Sequence, residues 1–351
     1  MFTMSFQVTL TPSQHQFPIE SGQTVLDAAL AAGIVLPYSC RSGACSTCKG
    51  KVVSGEYDAG PYPAQVLAPE EMAAGYTLLC QVRPASDLLV ESAEVRLASD
   101  IQIRKLPSRV TSIERLGEDV AVLKLQLPAA EEFRFYAGQY IELILKEGRR
   151  RSYSMATPPH AGSPLELHIR HMPGGYFTDH VFGTGTTQMK EREILRIEGP
   201  FGSFFLREDS DKPIVFLASG TGFAPIKAMV EHMQHKQITR PVRVYWGGRR
   251  PRDLYMSEMA AGWAANMPDF QFIPVISDAL QEDGWSGRTG FVHEAVMQDL
   301  PDLAGYQVYA CGAPPMVDAA RREFTAQCGL PAEEFYADAF TSEADLALAR
   351  P

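Results

Sequence analysis

Four cysteines, Cys40, Cys45, Cys48 and the distant Cys80, follow the spacing C-x4-C-x2-C…C. Three of them share the short, Gly-containing segment from Cys40 to Cys48, which reads CRSGACSTC. Such a set suits a plant-type [2Fe–2S] cluster, in which each of two irons takes two thiolates. A tight loop can supply three sulfurs and turn its backbone N–H groups toward them, and a later strand supplies the fourth. A structural zinc or a group of buried free thiols would use the same residue type. Zinc sites more often use paired C-x2-C hooks, and this chain holds one such hook. A cluster of this kind would make the chain a carrier of single electrons.

Three further motifs follow in order. Arg151-Ser152-Tyr153-Ser154 sets a guanidinium, able to pair with a diphosphate, two residues from a tyrosine that can stack on a flat ring. Ser154 can offer a hydroxyl to a ring nitrogen. Alone, this motif equally describes a strand with an exposed arginine. In Pro173-Gly174-Gly175-Tyr176-Phe177-Thr178, glycines precede a helix start, where a phosphate can approach backbone N–H groups. Gly220-Thr221-Gly222-Phe223-Ala224-Pro225 lies between an expected strand and helix, where dinucleotides are held, although Pro225 stands where G-x-G-x-x-G has its last glycine. Cys311 and Gly312 end a late strand, on the edge where open α/β sheets bind ligands. A buried small hydrophobe is the plain alternative for Cys311.

The elements needed to position these groups can be read from periodicity. Residues 5–97 read as a small β-rich domain: an alternating strand at Phe6–Leu10, a helix from Thr24 to Ala32 ended by Gly33, and a closing strand from Leu88 to Val95. A polar linker runs from Asp100 to Lys105. Residues 104–208 carry short strands at 109–113, 120–127, 140–145, 165–170 and 193–198, which suggests an antiparallel β-barrel, with Gly199-Pro200-Phe201-Gly202 closing it. A plain β-sandwich fits the same pattern. From residue 213 to residue 340 the rhythm becomes strand, turn, helix. Strands are expected at 214–218, 242–246, 270–276, 307–311 and 334–336, with helices at 224–235 and 315–328. This alternation indicates a doubly wound parallel α/β domain. The fold class is therefore multidomain, α+β and α/β.

The ordered set C-x4-C-x2-C…C, R-x-Y-S, G-T-G-x-A-P and C-G-x-P-x-M resembles the ferredoxin–NADP reductase superfamily, in the form where a plant-type ferredoxin is fused at the N-terminus. The reductases of bacterial multicomponent oxygenases and the CDP-6-deoxy-glucoseen reductases have this form. The resemblance covers about residues 5–340 and implies a β-grasp-like [2Fe–2S] domain, an FAD barrel and an NAD domain. It implies that Cys40, Cys45, Cys48 and Cys80 bind the cluster, and that Arg151 and Tyr153 hold FAD. Ser154 would bond the flavin N5 region, and Gly175, Tyr176, Phe177 and Thr178 would cradle the FAD diphosphate. Gly220, Thr221, Gly222, Cys311 and Gly312 would surround the nicotinamide coenzyme, with Ser154 and Cys311 as the catalytic candidates. Phe340 matches a C-terminal aromatic that covers the flavin, although here a tail from Thr341 to Pro351 runs past it.

Relatives selective for NADPH often carry Ser-Arg after the third strand of the last domain, where this chain has Ser277-Asp278. A carboxylate repels the 2′-phosphate and accepts a bond from a free ribose hydroxyl, which favours NADH over NADPH. Arg249, Arg250 and Arg252 argue the other way. His168, His171 and His180 could be drawn as a metal cluster but read better as separate solvated or core histidines.

A nicotinamide gives two electrons together and an iron–sulfur cluster takes one at a time, so a flavin must stand between them. The expected activity is an NADH-dependent reductase passing electrons through FAD and the cluster to a partner protein. An oxygenase component is the first candidate for that partner and a deoxysugar dehydrase the alternative. A non-catalytic module binding zinc and nucleotide is the rival from another class. The composition, 45% hydrophobic and 21% charged, is that of a globular protein. A net charge of −10 disfavours nucleic acid as a partner. Met1 to Phe17 has neither the basic start nor the apolar core of a signal peptide. The apolar stretch Val25–Pro37 is too short to span a bilayer, so no membrane insertion is expected. Six cysteines, four of them apparent iron ligands, fit a reducing cytoplasm.

Overall fold

The computed structural model describes residues 5–62, 66–92, 94–97 and 101–341. The chain divides into two compact units. One comprises residues 1–100 with 202–204 and 337–351, the other residues 101–201 and 205–336.

In the first unit, alternation along Ser5–Thr11 turns Val8 and Leu10 into a fully buried face. This strand pairs antiparallel with Gln16–Glu20 and parallel with Leu88–Glu91. The five-stranded sheet runs in the order 16–20, 5–11, 88–91, 49–54, 76–78. The helix Val25–Ala31 begins at Thr24, whose hydroxyl oxygen accepts the Asp27 N–H at 3.2 Å as an N-cap. It buries Val25, Leu26, Ala28 and Ala29, giving the expected β-grasp-like arrangement. The closing strand ends at Glu91, short of the expected Val95. Asp100, the first residue of the expected linker, and the tail residues 342–351 lie outside the described residues, and the linker ends sooner than expected because Arg104 and Lys105 already belong to the strand Arg104–Arg115.

The second unit opens with six antiparallel strands in the order 150–154, 140–144, 194–201, 104–115, 120–126, 165–170. Leu123, Ile141, Leu143, Leu167, Ile169 and Ile197 lie at the centre of its core. In place of a barrel closed by a full ladder, the outer edges of the sheet meet through one bridge, between Met155 and Leu167. The ladder cannot continue past Thr157 because Pro158 and Pro159 have no N–H to donate.

The same unit contains a parallel sheet in the order 288–289, 270–276, 242–248, 214–219, 307–312. Its central strand, Ile214–Ser219, is fully buried from Ile214 to Ala218, as a strand covered on both faces must be. The helices Phe223–Lys236 and Pro314–Gln327 each follow a strand directly, the second with proline in its first turn. A last strand, Phe335–Ala339, begins in this unit and ends in the first. Among the described residues, no helix is long and apolar enough to cross a membrane.

Candidate functional site

The cysteine loop is shaped by its own backbone. Arg41, Gly43 and Ser46 have φ of 57°, 82° and 54°, the left-handed region that coils a chain around a small centre. This turns amides inward: Cys40 N–H donates to Cys45 Sγ and Ser42 N–H to Cys40 Sγ, each at 3.4 Å. Gln81 Nε2 donates to Cys80 Sγ at 3.5 Å. The sulfurs influence one another's ionisation in pairs, Cys40 with Cys45 and Cys48 with Cys80. The neighbouring Cys45 thiol lowers that of Cys40, and the Cys48 thiol lowers that of Cys80. Their partners are pushed up by the same pairing and by burial. Four neighbouring thiols, three of them accepting from N–H donors, fit the ligand set of a [2Fe–2S] cluster.

Segments far along the chain hold the approach to this loop. Tyr38 N–H donates to Ser203 Oγ at 2.8 Å, and Ser203 N–H donates to Tyr38 O at 3.2 Å. Ser39 Oγ donates to Asp338 Oδ1 at 2.5 Å, and both groups are buried. No motif marks Ser203 or Asp338, so the sequence reading missed them. Phe340 is half-buried two residues beyond Asp338.

The structure brings the R-x-Y-S strand and the glycine-led helix together. Tyr153 on the strand Arg150–Ser154 packs against Phe177, with ring centroids 5.6 Å apart. Burial raises the Tyr153 phenol above its ordinary range. Arg150, next to Arg151, is taken by Glu142 and Glu198, each at 2.5 Å. Ser154 is buried. Gly175 immediately precedes the helix Tyr176–Phe182. A Cβ at Gly175 would stand 2.6 Å from Thr178 Oγ1 and 2.8 Å from Met172 O, so only glycine leaves this turn clear. Thr178 Oγ1 donates to Met172 O at 2.9 Å and so holds the turn shut. Tyr176 is exposed, with the Arg149 guanidinium 5.3 Å from its ring centre. A bare glycine turn beside an arginine-bearing strand and two aromatic rings fits a flavin dinucleotide.

On the parallel sheet, Ala218 and Cys311 are register partners, which sets Gly220-Thr221-Gly222 beside Cys311-Gly312. The approach is close: a Cβ at Gly222 would stand 2.1 Å from Cys311 O, and one at Gly312 would stand 2.3 Å from Ser219 Oγ. Gly312 also has φ +133°, and Ser219 Oγ accepts the Ala313 N–H at 2.9 Å. Cys311 is fully buried and Thr221 nearly so. Trp246 Nε1 donates to Gly220 O at 2.9 Å and stacks on Phe223 with centroids 3.8 Å apart, which fixes the loop from behind. Helix 223–236 starts directly from the loop, its Phe223 N–H donating back to Gly220 O and Thr221 O and its third residue, Pro225, carrying no N–H, so the positive end of the helix faces the loop.

A network invisible in the motifs underlies this loop. His168 Nδ1 lies 2.7 Å from the Tyr255 hydroxyl, and its Nε2 lies 3.0 Å from Glu166 Oε1. Lys227 Nζ reaches Glu166 at 3.3 Å, Glu231 at 3.0 Å and the Ala156 carbonyl at 3.3 Å. Burial tends to raise the Glu166 carboxyl, but His168 and Lys227 outweigh it and hold it at about 2. Burial holds the His168 imidazole below its ordinary value. Arg170 pairs with Asp119 at 2.8 Å, and one of its nitrogens lies 2.7 Å from where a Gly220 Cβ would be. It is a cation beside the glycine loop that sequence reading passed over. The histidines keep separate partners: His171 is 2.9 Å from Asp179 and His180 is 2.8 Å from Glu193. Asp278 is exposed after the strand Phe270–Ile276, and its N–H donates to Arg249 O at 3.0 Å.

Comparison with known proteins agrees with this geometry. The 2Fe-2S iron-sulfur cluster binding domain family matches residues 8–85, the oxidoreductase FAD-binding domain family residues 107–206, and the oxidoreductase NAD-binding domain family residues 216–322. The chain is 42% identical to the CDP-6-deoxy-L-threo-D-glycero-4-hexulose-3-dehydrase reductase of Yersinia pestis, over 96% of this chain and 99% of that one. It is 35% identical to reductase component 1 of terephthalate 1,2-dioxygenase from Comamonas sp., over 97% and 98% of the two chains. The crystal structure of the Amycolatopsis cytochrome P450 reductase GcoB superposes with a TM-score of 0.76 at 35% identity, over 96% of this chain and 99% of that one. Fold and site together define an NAD(P)H-dependent oxidoreductase that carries FAD and a [2Fe–2S] cluster. The chain belongs to the ferredoxin–NADP reductase-like family, in the branch that joins an N-terminal [2Fe–2S] ferredoxin to FAD- and NAD-binding domains.

Proposed function

We propose that this reductase serves a separate acceptor protein, with NADH as its preferred source of electrons. The observation that carries the reading is a loop coiled around four cysteines, with N–H groups turned onto their sulfurs, in a chain that also builds a glycine turn beside Tyr153 and a glycine loop beside Cys311. Bound nicotinamide and FAD supply two-electron chemistry, and the cluster supplies single-electron chemistry. Cys40, Cys45, Cys48 and Cys80 hold the cluster. Arg151 and Tyr153 bind FAD, Ser154 offers it a hydroxyl, and the turn formed by Gly175, Tyr176, Phe177 and Thr178 receives its diphosphate. Gly220, Gly222 and Gly312 let the backbone approach the nicotinamide coenzyme, Thr221 and Cys311 flank it, and Asp278 accepts a ribose hydroxyl. Phe340 covers the flavin. The domains divide at 5–97, 104–208 and 213–340, and the protein works in a reducing cytoplasm.

Fold alone does not name an acceptor. Identity favours a deoxysugar dehydrase: 42% with the Yersinia pestis dehydrase reductase against 35% with the terephthalate dioxygenase component. An oxygenase component is the second reading, supported by the close superposition on the cytochrome P450 reductase. The test mixes purified holoprotein and NADH either with the Yersinia dehydrase and its CDP-hexulose or with the terephthalate oxygenase. Dehydrase turnover should exceed oxygenase turnover by about tenfold, a difference of about 1.4 kcal/mol. The reverse order would favour the second reading. Turnover of neither, alongside normal cytochrome c reduction, would reject both acceptor classes.

A further inference from the structure

Arg249 and Arg250 leave the carboxyl end of the strand Val242–Gly248, and Ser277 and Asp278 leave that of its parallel neighbour Phe270–Ile276. Ser277 N–H donates to Gly248 O at 2.9 Å and Asp278 N–H to Arg249 O at 3.0 Å, so the two loops form one rim. In dinucleotide-binding sheets this edge receives the ribose of the coenzyme, and an arginine there accommodates the 2′-phosphate of NADPH. Arg250 stands at the right place for that task, but its guanidinium is already engaged. Nε donates to Asp283 Oδ2 at 2.7 Å and Nη2 to Asp283 Oδ1 at 2.8 Å, a forked pair, and Nη2 also reaches Glu282 at 3.3 Å. Asp283 is itself anchored, because its Oδ2 accepts the Leu280 N–H at 2.8 Å. Arg252 turns to Glu118 at 3.4 Å.

Resting on the reading that this rim holds the coenzyme ribose and that NADH is preferred, we propose that Asp283, with Glu282, excludes NADPH by occupying Arg250 as an internal counter-ion. At Arg250 a phosphate meets two carboxylates, and it can recruit that guanidinium only by breaking a forked ion pair; Arg249, exposed on the same rim, stands outside this pairing. Selectivity then has two parts: repulsion by Asp278 and the masking of Arg250.

The test compares NADH and NADPH kcat/KM in the holoenzyme. Glu282→Gln with Asp283→Asn should raise the NADPH/NADH ratio about tenfold, and should tighten competitive inhibition by 2′,5′-ADP relative to 5′-AMP by a similar factor. Arg250→Gln added to that pair should cancel both gains. Arg250→Gln alone should leave the NADPH/NADH ratio within about twofold of the native value, since a masked arginine has no phosphate to lose. Asp283→Asn alone, with Glu282 kept as a weaker partner, should give a smaller shift in the same direction and serves if the double variant does not fold. An unchanged ratio in a folded Asp283 variant, or a loss of NADPH use in Arg250→Gln alone, overturns the masking. A native protein that prefers NADPH would instead overturn the underlying coenzyme reading, and the wild-type ratio reveals this before any variant is made.

Discussion

In the cysteine loop, three of the four sulfurs come from one short segment, and positive φ at Arg41, Gly43 and Ser46 aims the backbone at them. At the edge of the parallel sheet, Gly220–Gly222, Cys311–Gly312, Trp246 and Arg170 come from four separate strands and their ends. The first site is built by local conformation and completed by one distant residue, Cys80. The second exists only because strand register and side-chain absence let backbones approach within contact distance. A site of the first kind should fail through its ligands, and one of the second kind through its packing.

The largest expected effect tests the ligand side. Cys45→Ser should abolish the cluster, measured as iron and acid-labile sulfide falling from about two each per chain to near zero. Bound FAD should persist, read from its visible absorbance, because the flavin turn lies in the other compact unit. Loss of both groups from a folded protein would end the separation of the two sites.

Packing is tested by Gly222→Ala. Its φ of −58° suits alanine, so the substitution adds only a methyl 2.1 Å from Cys311 O. NADH-driven flavin reduction should fall about a hundredfold, about 2.7 kcal/mol, while reduction of the cluster by dithionite is unaffected. An unchanged hydride-transfer rate in stopped flow would show that the close approach has no functional weight.

The smallest effect concerns the network beneath the loop. Glu166→Gln should lower stability by about 2 kcal/mol at neutral pH, since Lys227 keeps Glu231 as a partner. In the wild type the Glu166 carboxyl titrates at about 2. An unfolded glutamate titrates near ~4.3, so this contribution is present above that value and lost as pH falls toward about 2. His168 acts in the same direction: its folded value is lowered by burial. Its contribution is therefore complete above ~6.5 and lost as pH falls below it. Thermal melting of the wild type should weaken steadily from pH ~6.5 downward, and the penalty of Glu166→Gln should shrink on the acid side of ~4. A constant penalty across that range would mean the carboxyl's charge is irrelevant.

The strands Leu165–Arg170 and Phe270–Ile276 and the start and type of the helix after Gly222 were legible, because each rests on periodicity or a continuous apolar run. The closing strand of the first unit was overestimated, since its apolar alternation continues beyond Glu91 while the ladder does not. Closure of the antiparallel sheet is less than the strand pattern suggests, because that pattern does not reveal that Leu165–Arg170 and the strand ending before Pro158 are the two outer edges that would have to pair. That Arg250 is paired with Asp283 was not legible, since the two stand far apart in sequence and meet across a loop.

The sequence by itself determined the candidate groups and their order: four cysteines at cluster spacing, R-x-Y-S, two glycine turns and Cys311. Those depend on residue type and short-range spacing, which the chain states directly. Only the tertiary structure decided that Ser203 and Asp338 hold the segment before Cys40, that Gly222 meets Cys311, and that Glu166, His168, Lys227 and Tyr255 form one buried network. Each of those depends on two distant segments arriving at one place, where burial raises the cost of an unpaired polar group and so selects its partner. Nothing in a local pattern encodes that meeting.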